Sequence, residues 1–234
     1  MAGFSQNHLG NHEAPESSPC ALPVASPPTA VLFDWDNTLV DTWQTVFRAF
    51  NNTLVAFGRA PWPEEVAVAN IQRSGREAFP KLFGDKAQEA QDLFYKLVEE
   101  GSLQGMAPMP GSENLLNVLA QKGIPLGIVS NKTGLVLRKE VTDLKWDHYF
   151  GVLVGAGDAA QDKPAADPIF RALETLRIPP SRHVWMVGDA PVDWHCAMTA
   201  GCQPIAIGNR FKDKPSTLVS IEDCAALEKI FAKM

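Results

Sequence analysis

The stretch "AVLFDWDNTLVDT", Ala30 to Thr42, sets three aspartates directly behind a short apolar run. Ala30 to Phe33 reads as a buried strand, and the chain places carboxylates where that strand ends. Asp34 and Asp36 are two apart, so on an extended backbone they share one side while Trp35 points away. Two carboxylates that close repel each other unless a hard cation sits between them. An oxygen-only set without Cys or His suits Mg²⁺. A plainer reading stays open at this point: an acidic turn before a helix, with Asp41 or Thr42 as its cap.

Outward from this stretch, further apolar runs recur at Ile124–Val129, Phe150–Val154, His183–Val187 and Pro204–Ile207, separated by amphipathic helical stretches. That alternation predicts an α/β fold, a doubly wound parallel sheet with helices on both faces and functional residues at the carboxyl ends of the strands. The interval between the first two strands is much longer than the others and reads as helical. Asp41–Phe57 carries apolar positions at Val46, Phe50, Leu54 and Phe57 and stops at Gly58, Pro63 opens a second helix, and Lys86–Leu103 forms another. Residues 43–108 therefore read as a helical cap domain inserted after the first strand. Pro108-Met109-Pro110-Gly111 is the expected turn back into a core domain made of residues 29–42 and 109–234.

The bulk composition of the 234 residues, 45% of them hydrophobic, is ample for a packed core. With 21 Lys and Arg against 27 Asp and Glu the formal net charge is −6, and the basic residues are scattered, so a nucleic-acid partner is not expected. Cys20, Cys196, Cys202 and Cys224 show no CxxC pairing and no His at zinc-ligand spacing, which favours free thiols in a reducing, cytoplasmic setting. The first 28 residues are polar and proline-rich, lack the pattern of a secretory signal, and read as a disordered or loosely attached tail. No stretch approaches the roughly 20 apolar residues of a membrane span.

Three more motifs follow strands. Ser130 and Asn131 supply a hydroxyl, an amide and backbone N–H groups suited to an anion, although a capping serine reads the same in isolation. Lys163, in Asp162-Lys163-Pro164, offers a point charge for phosphate, although solvated loop lysines are common. Gly188-Asp189, followed by Asp193, sets carboxylates beyond another apolar run, with the glycine permitting close backbone approach; an acidic first helical turn would look alike.

Together and in this order, "DWDNT", "VSN", "DKP" and "VGDAPVD" resemble the four motifs of the haloacid dehalogenase (HAD) superfamily over residues of about 30 to 210. The insert resembles the helical cap of its phosphoglycolate phosphatase-like branch. The resemblance implies a Rossmann-like core and a Mg²⁺-dependent phosphatase acting on a small phosphoester. It makes Asp34 the nucleophile that becomes an aspartyl phosphate, Asp36 the acid and base, and Thr38 a structural hydroxyl. Ser130 and the Asn131 backbone N–H would bind the phosphoryl group, and Lys163 would neutralise its charge. The metal would be held by Asp34, the backbone carbonyl of Asp36, and Asp189, with Gly188 and Asp193 in support. Asp36 disfavours the dehalogenase and phosphonate-cleaving relatives, which lack that second acid. Sugar-phosphate mutases keep both acids and remain an alternative, as does a non-catalytic binding or regulatory protein on the same fold.

Other residues have two readings. Arg73 and Arg76 in the cap either close on a substrate anion or are solvated helix residues. Trp35 and Trp43 either line the pocket or pack between core and cap. His195 is expected on a helix surface.

Overall fold

The computed structural model describes residues 27–102, 106–211 and 214–234. The expected tail lies, as far as residue 26, outside these described residues, and so does Cys20. The chain enters through β1 (Ala30–Phe33), turns through the two-residue β2 (Val40–Asp41), and runs into four helices: α1 (Trp43–Ala56), α2 (Glu64–Asn70), α3 (Gly75–Phe83) and α4 (Ala87–Ser102). It returns through β3 (Ala107–Pro108). There follow α5 (Ser112–Gln121), β4 (Leu126–Thr133), α6 (Gly134–Asp143), β5 (Val152–Ala156), α7 (Asp167–Leu176), β6 (Val184–Gly188), α8 (Pro191–Thr199), β7 (Gln203–Ile207), β8 (Val219–Ile221) and α9 (Cys224–Ala232).

The main sheet has the order β5-β4-β1-β6-β7-β8, and all its pairings are parallel. β1 is central and buried on both faces, which explains its uninterrupted apolar sequence. Val31 and Phe33 join a cluster with Leu115, Leu119, Leu137, Leu227 and Phe231, from α5, α6 and α9. Ala30 and Leu32 join the opposite cluster with Ile169 and Leu173 of α7 and Cys196 and Ala197 of α8. The connections run to opposite sides of β1, first to β4 and later to β6, so the sheet opens a crevice at the carboxyl end of β1, where ligands of such folds bind.

The insertion has its own apolar centre, in which Phe50 and Leu54 of α1 meet Phe79 and Phe83 of α3 and Ala90 of α4. Its two connections to the sheet are zipped together, since β2 pairs antiparallel with β3 through Val40↔Pro108 and Asp41↔Ala107. The first helix ends where its glycine predicts: Gly58 takes φ 72°, and the Arg59 N–H returns to the Leu54 carbonyl. Pro108, expected in a turn, belongs to β3, and the turn is made by Met109 to Gly111 with φ 81° at the glycine.

β4 continues to Thr133, past the Val129 boundary expected for it, so Ser130 and Asn131 sit in the irregular end of a strand. β8 and α3 are among the elements that have no counterpart in the sequence reading. Cys196, Cys202 and Cys224 are free and buried. Among the described residues no helix is long and apolar enough to cross a membrane.

Candidate active site

β1 stops at Phe33, but its ladder continues for one more bond, from the Asp34 N–H to the Val187 carbonyl of β6 at 2.8 Å. The chain then folds on itself. Leu39 and Val40 donate back to the Trp35 carbonyl, and Asn37 takes the left-handed conformation at φ 59°, which asparagine tolerates better than most residues. The alternation read from the sequence holds: Trp35 turns into the core, edge-on to Trp146, and Asp34 and Asp36 face the sheet edge.

Lys163 binds this edge together. Its ammonium lies 2.7 Å from Asp34 Oδ1, 2.6 Å from Asp193 Oδ1 and 2.8 Å from the Val129 carbonyl, so all three of its protons are used. Asp193 in turn accepts from the Ala190 N–H through Oδ2 at 3.0 Å. Its carboxyl carbon packs so closely on Gly188 that a Cβ there would come within 2.3 Å. Thr38 accepts from the Asp189 N–H at 3.2 Å and so ties the first acidic loop to the last.

One ammonium does not neutralise this many carboxylates. Burial pushes Asp34 up to about 7, with Asp193 and Asp36 adding to the rise and Lys163 opposing it. Burial also drives Asp189 well above the usual carboxylate range, reinforced by Asp34 and Asp193 and opposed by Arg210, whose Nε lies 3.2 Å from Asp189 Oδ2. Oxygens of Asp34, Asp189 and Asp193 lie within 4.8 Å of one another. Excess negative charge on an all-oxygen donor set fits a hard divalent cation. Asp193 has both oxygens committed to protein donors, which makes Asp34 and Asp189 the better candidates for direct carboxylate ligands. The Asp36 carboxylate is not in this group; its Oδ1 is drawn off to Thr42 and Lys132.

Ser130 is buried at the floor of the site, and its oxygen accepts from the Lys132 N–H at 3.2 Å. The Asn131 amide is a clamp: Oδ1 accepts from the Lys163 N–H, and Nδ2 donates to the carbonyls of Lys163 and, in the insertion, Gln72. A cavity of about 120 Å³ covers these groups and is roofed by insertion residues including Trp43, Ile71, Arg73 and Tyr95.

The two cap arginines differ. Arg73 lines the cavity. Arg76 does not; its guanidinium forks onto the buried Asp162 carboxylate at 2.5 and 2.6 Å and reaches the carbonyls of Ala159 and Ala160. It is a bridge from α3 to the loop carrying Lys163, because that carboxylate is the stronger partner for a bidentate cation. The tryptophans divide likewise: Trp35 is core, whereas Trp43 faces the cavity, stacks under Arg210 at 4.4 Å and donates to Glu64 of α2. His195 is exposed.

Sequence reasoning missed Lys132, the residue directly after Ser130-Asn131, and with it Glu140 of α6. Lys132 is buried between Asp36, 2.7 Å away, and Glu140, 2.6 Å away. Burial works against its charge, but the two carboxylates outweigh it and hold the ammonium protonated, above the usual range. A lysine directly behind the Ser130-Asn131 motif, at the end of a strand, was the available signal.

Four strand-end loops converging on one acidic, lysine-bridged cavity under a helical insertion define a hydrolase of the α/β type with a capped site. The haloacid dehalogenase-like hydrolase profile matches residues 31–207, and the chain belongs to that family. A candidate pyrophosphatase, PpaX, from Caldanaerobacter subterraneus is 30% identical over 190 residues, covering 76% of this chain and 81% of its own. The phosphoglycolate phosphatase of Aquifex aeolicus is 27% identical over 205 residues, 82% of this chain and 96% of its own. In fold, the crystal structure of a predicted phosphoglycolate phosphatase from Haemophilus somnus agrees with a TM-score of 0.76 at 21% identity, over 88% of this chain and 99% of that one. The protein is thus an HAD hydrolase with a helical cap, homologous to phosphoric monoester hydrolases.

Proposed function

We propose that this chain is a Mg²⁺-dependent phosphatase that hydrolyses a small phosphorylated metabolite through an aspartyl phosphate on Asp34. The single observation that carries the reading is the Lys163 ammonium shared by Asp34 and Asp193 beside Asp189, at the base of a cavity roofed by the insertion. Asp34 Oδ1 is held by Lys163, so Oδ2 is the oxygen that attacks phosphorus. As that bond forms, the bond to the leaving oxygen breaks and Asp36 donates a proton to it. Asp36, now a carboxylate, takes a proton from the water that attacks the acyl phosphate, releasing inorganic phosphate and restoring Asp34. Ser130 and the Asn131 N–H bind the phosphoryl oxygens, and Lys163 offsets their charge. Thr38, Gly188 and Asp193 hold the loops in register. A Mg²⁺ held by Asp34, Asp189 and the Asp36 carbonyl would supply charge neutralisation at the transferring group.

In this reading residues 43–108 form a cap domain over a core of residues 29–42 and 109–234, and Arg73 is a candidate contact for a substrate anion. The buried free thiols support a reducing, cytoplasmic setting. The relatives' names make phosphoglycolate and pyrophosphate the first substrates to try. Release of inorganic phosphate from these and a panel of sugar phosphates, with Mg²⁺ and with chelator, tests the proposal. Activity is expected to vanish with chelator and in Asp34→Asn. Undiminished turnover by that variant would reject the nucleophile.

A further inference from the structure

In the same cavity as Lys163, a second buried ammonium holds Asp36. Lys132 Nζ and Thr42 Oγ1 both donate to Asp36 Oδ1, at 2.7 and 2.6 Å. Among the described residues no donor is recorded on Oδ2, and Asp36 lines the cavity. Behind Lys132, Glu140 Oε2 accepts from the same ammonium at 2.6 Å and from the Trp35 indole at 2.7 Å.

The arrangement treats the two oxygens of one carboxyl group unequally. Ammonium is a donor only, so Oδ1, beside Lys132, cannot carry a proton without facing another N–H. Any proton on Asp36 is therefore confined to Oδ2, the oxygen that neither Lys132 nor Thr42 holds. Glu140 makes this durable. When Asp36 is neutral, Lys132 still has a buried carboxylate partner and does not become an isolated charge in a dry site, which would be costly. Trp35 fixes Glu140 from the core.

We infer that Lys132, backed by Glu140, is a positioning residue that directs the proton of Asp36 to the leaving-group oxygen. This rests on the phosphatase reading of the same site and adds to it a requirement: the acid must be oriented by Lys132, which lines the same cavity and acts through Asp36. A residue acting through the proton matters only where the leaving oxygen needs one. An alkyl oxygen leaves poorly without protonation, whereas p-nitrophenolate leaves without it.

The test compares kcat/KM for an alkyl monoester that the enzyme turns over with kcat/KM for p-nitrophenyl phosphate. Acetyl phosphate replaces the aryl ester if the cap excludes the ring. Lys132→Met is expected to lose about 100-fold on the alkyl ester and less than about fivefold on the activated one. Thr42→Val, which removes the other donor to Oδ1, is expected to show the same selectivity with a loss of about tenfold on the alkyl ester. It carries the test alone if Lys132→Met does not fold. Equal losses on both substrates, or a change confined to KM, would overturn the inference. Asp34→Asn separates the two levels: it should abolish both activities. If it does so while the selectivity is absent, the phosphatase reading stands and only the role of Lys132 falls. If it remains active, the reading itself fails.

Discussion

Gly188 and Asp193 show how a single missing Cβ sets the geometry of the site. The Asp193 carboxylate folds back over the end of β6 into space that any other side chain at position 188 would fill. From there it reaches Lys163, which reaches Asp34. Gly188→Ala must displace that carboxylate or the turn beneath it. An ångström of displacement at a charge-neutralising group costs roughly 100-fold in turnover. We expect that loss in kcat with the circular dichroism spectrum unchanged; full turnover would show that the Asp193–Lys163 contact is dispensable. Lys163→Met is harsher, because it strands two buried carboxylates. A destabilisation of about 3–5 kcal/mol is expected from urea unfolding of the metal-free protein, and a midpoint equal to wild type would mean that these carboxylates are not charged in the fold.

Among the elements, β1 was the most legible, because a strand covered on both faces must be apolar at every position, and its end is marked by the first charge. The four strand-end motifs were legible for the same reason. What escaped was decided by tertiary packing. α3 begins at Gly75 and contains Pro80, both contrary to helix propensity; it forms because Phe79 and Phe83 fill the cap's centre. β8 is only three residues long and exists by pairing with β7. Lys132 was not singled out from the sequence, because its partners Asp36 and Glu140, 96 positions before it and 8 after it, close on it only in the fold. Arg76 had two readings in the sequence, a contact for a substrate anion or a solvated helix residue, and the anion it binds belongs to the protein. As the fork from α3 to Asp162, it joins the insertion to the core loop that bears Lys163. Arg76→Met should weaken that joint by about 1–2 kcal/mol, the range of a charge-assisted pair on the less buried side. Faster amide exchange in α3, with β1 and β6 unchanged, is the expected signature, and equal protection in both proteins would deny the bridge any part in holding the cap.

At the scale of the whole molecule, the site is a local excess of negative charge inside a chain that is already acidic, with a formal net charge of −6. Folding buries Asp34 and moves it from its ordinary 3.8 to about 7, and Asp189 moves in the same direction. A carboxyl group raised in this way binds an extra proton in the folded state throughout that interval. Its stabilising contribution is whole below about pH 4 and is lost as pH climbs through about 7. The metal-free protein should therefore lose stability from this site on going from pH 4 to neutrality, the reverse of what salt-bridged surface carboxylates do. A divalent cation and the protons compete for the same oxygens. Added Mg²⁺ should raise the melting temperature little at pH 5 and most at pH 8, where the carboxylates are ionised and the repulsion is greatest. Asp34→Asn removes one ionising group and one ligand together, so its melting temperature should depend less on pH and respond less to Mg²⁺. A Mg²⁺ gain that is equal at both pH values, or unaltered in Asp34→Asn, would mean that the cation binds elsewhere and that the buried aspartates are balanced by the protein alone.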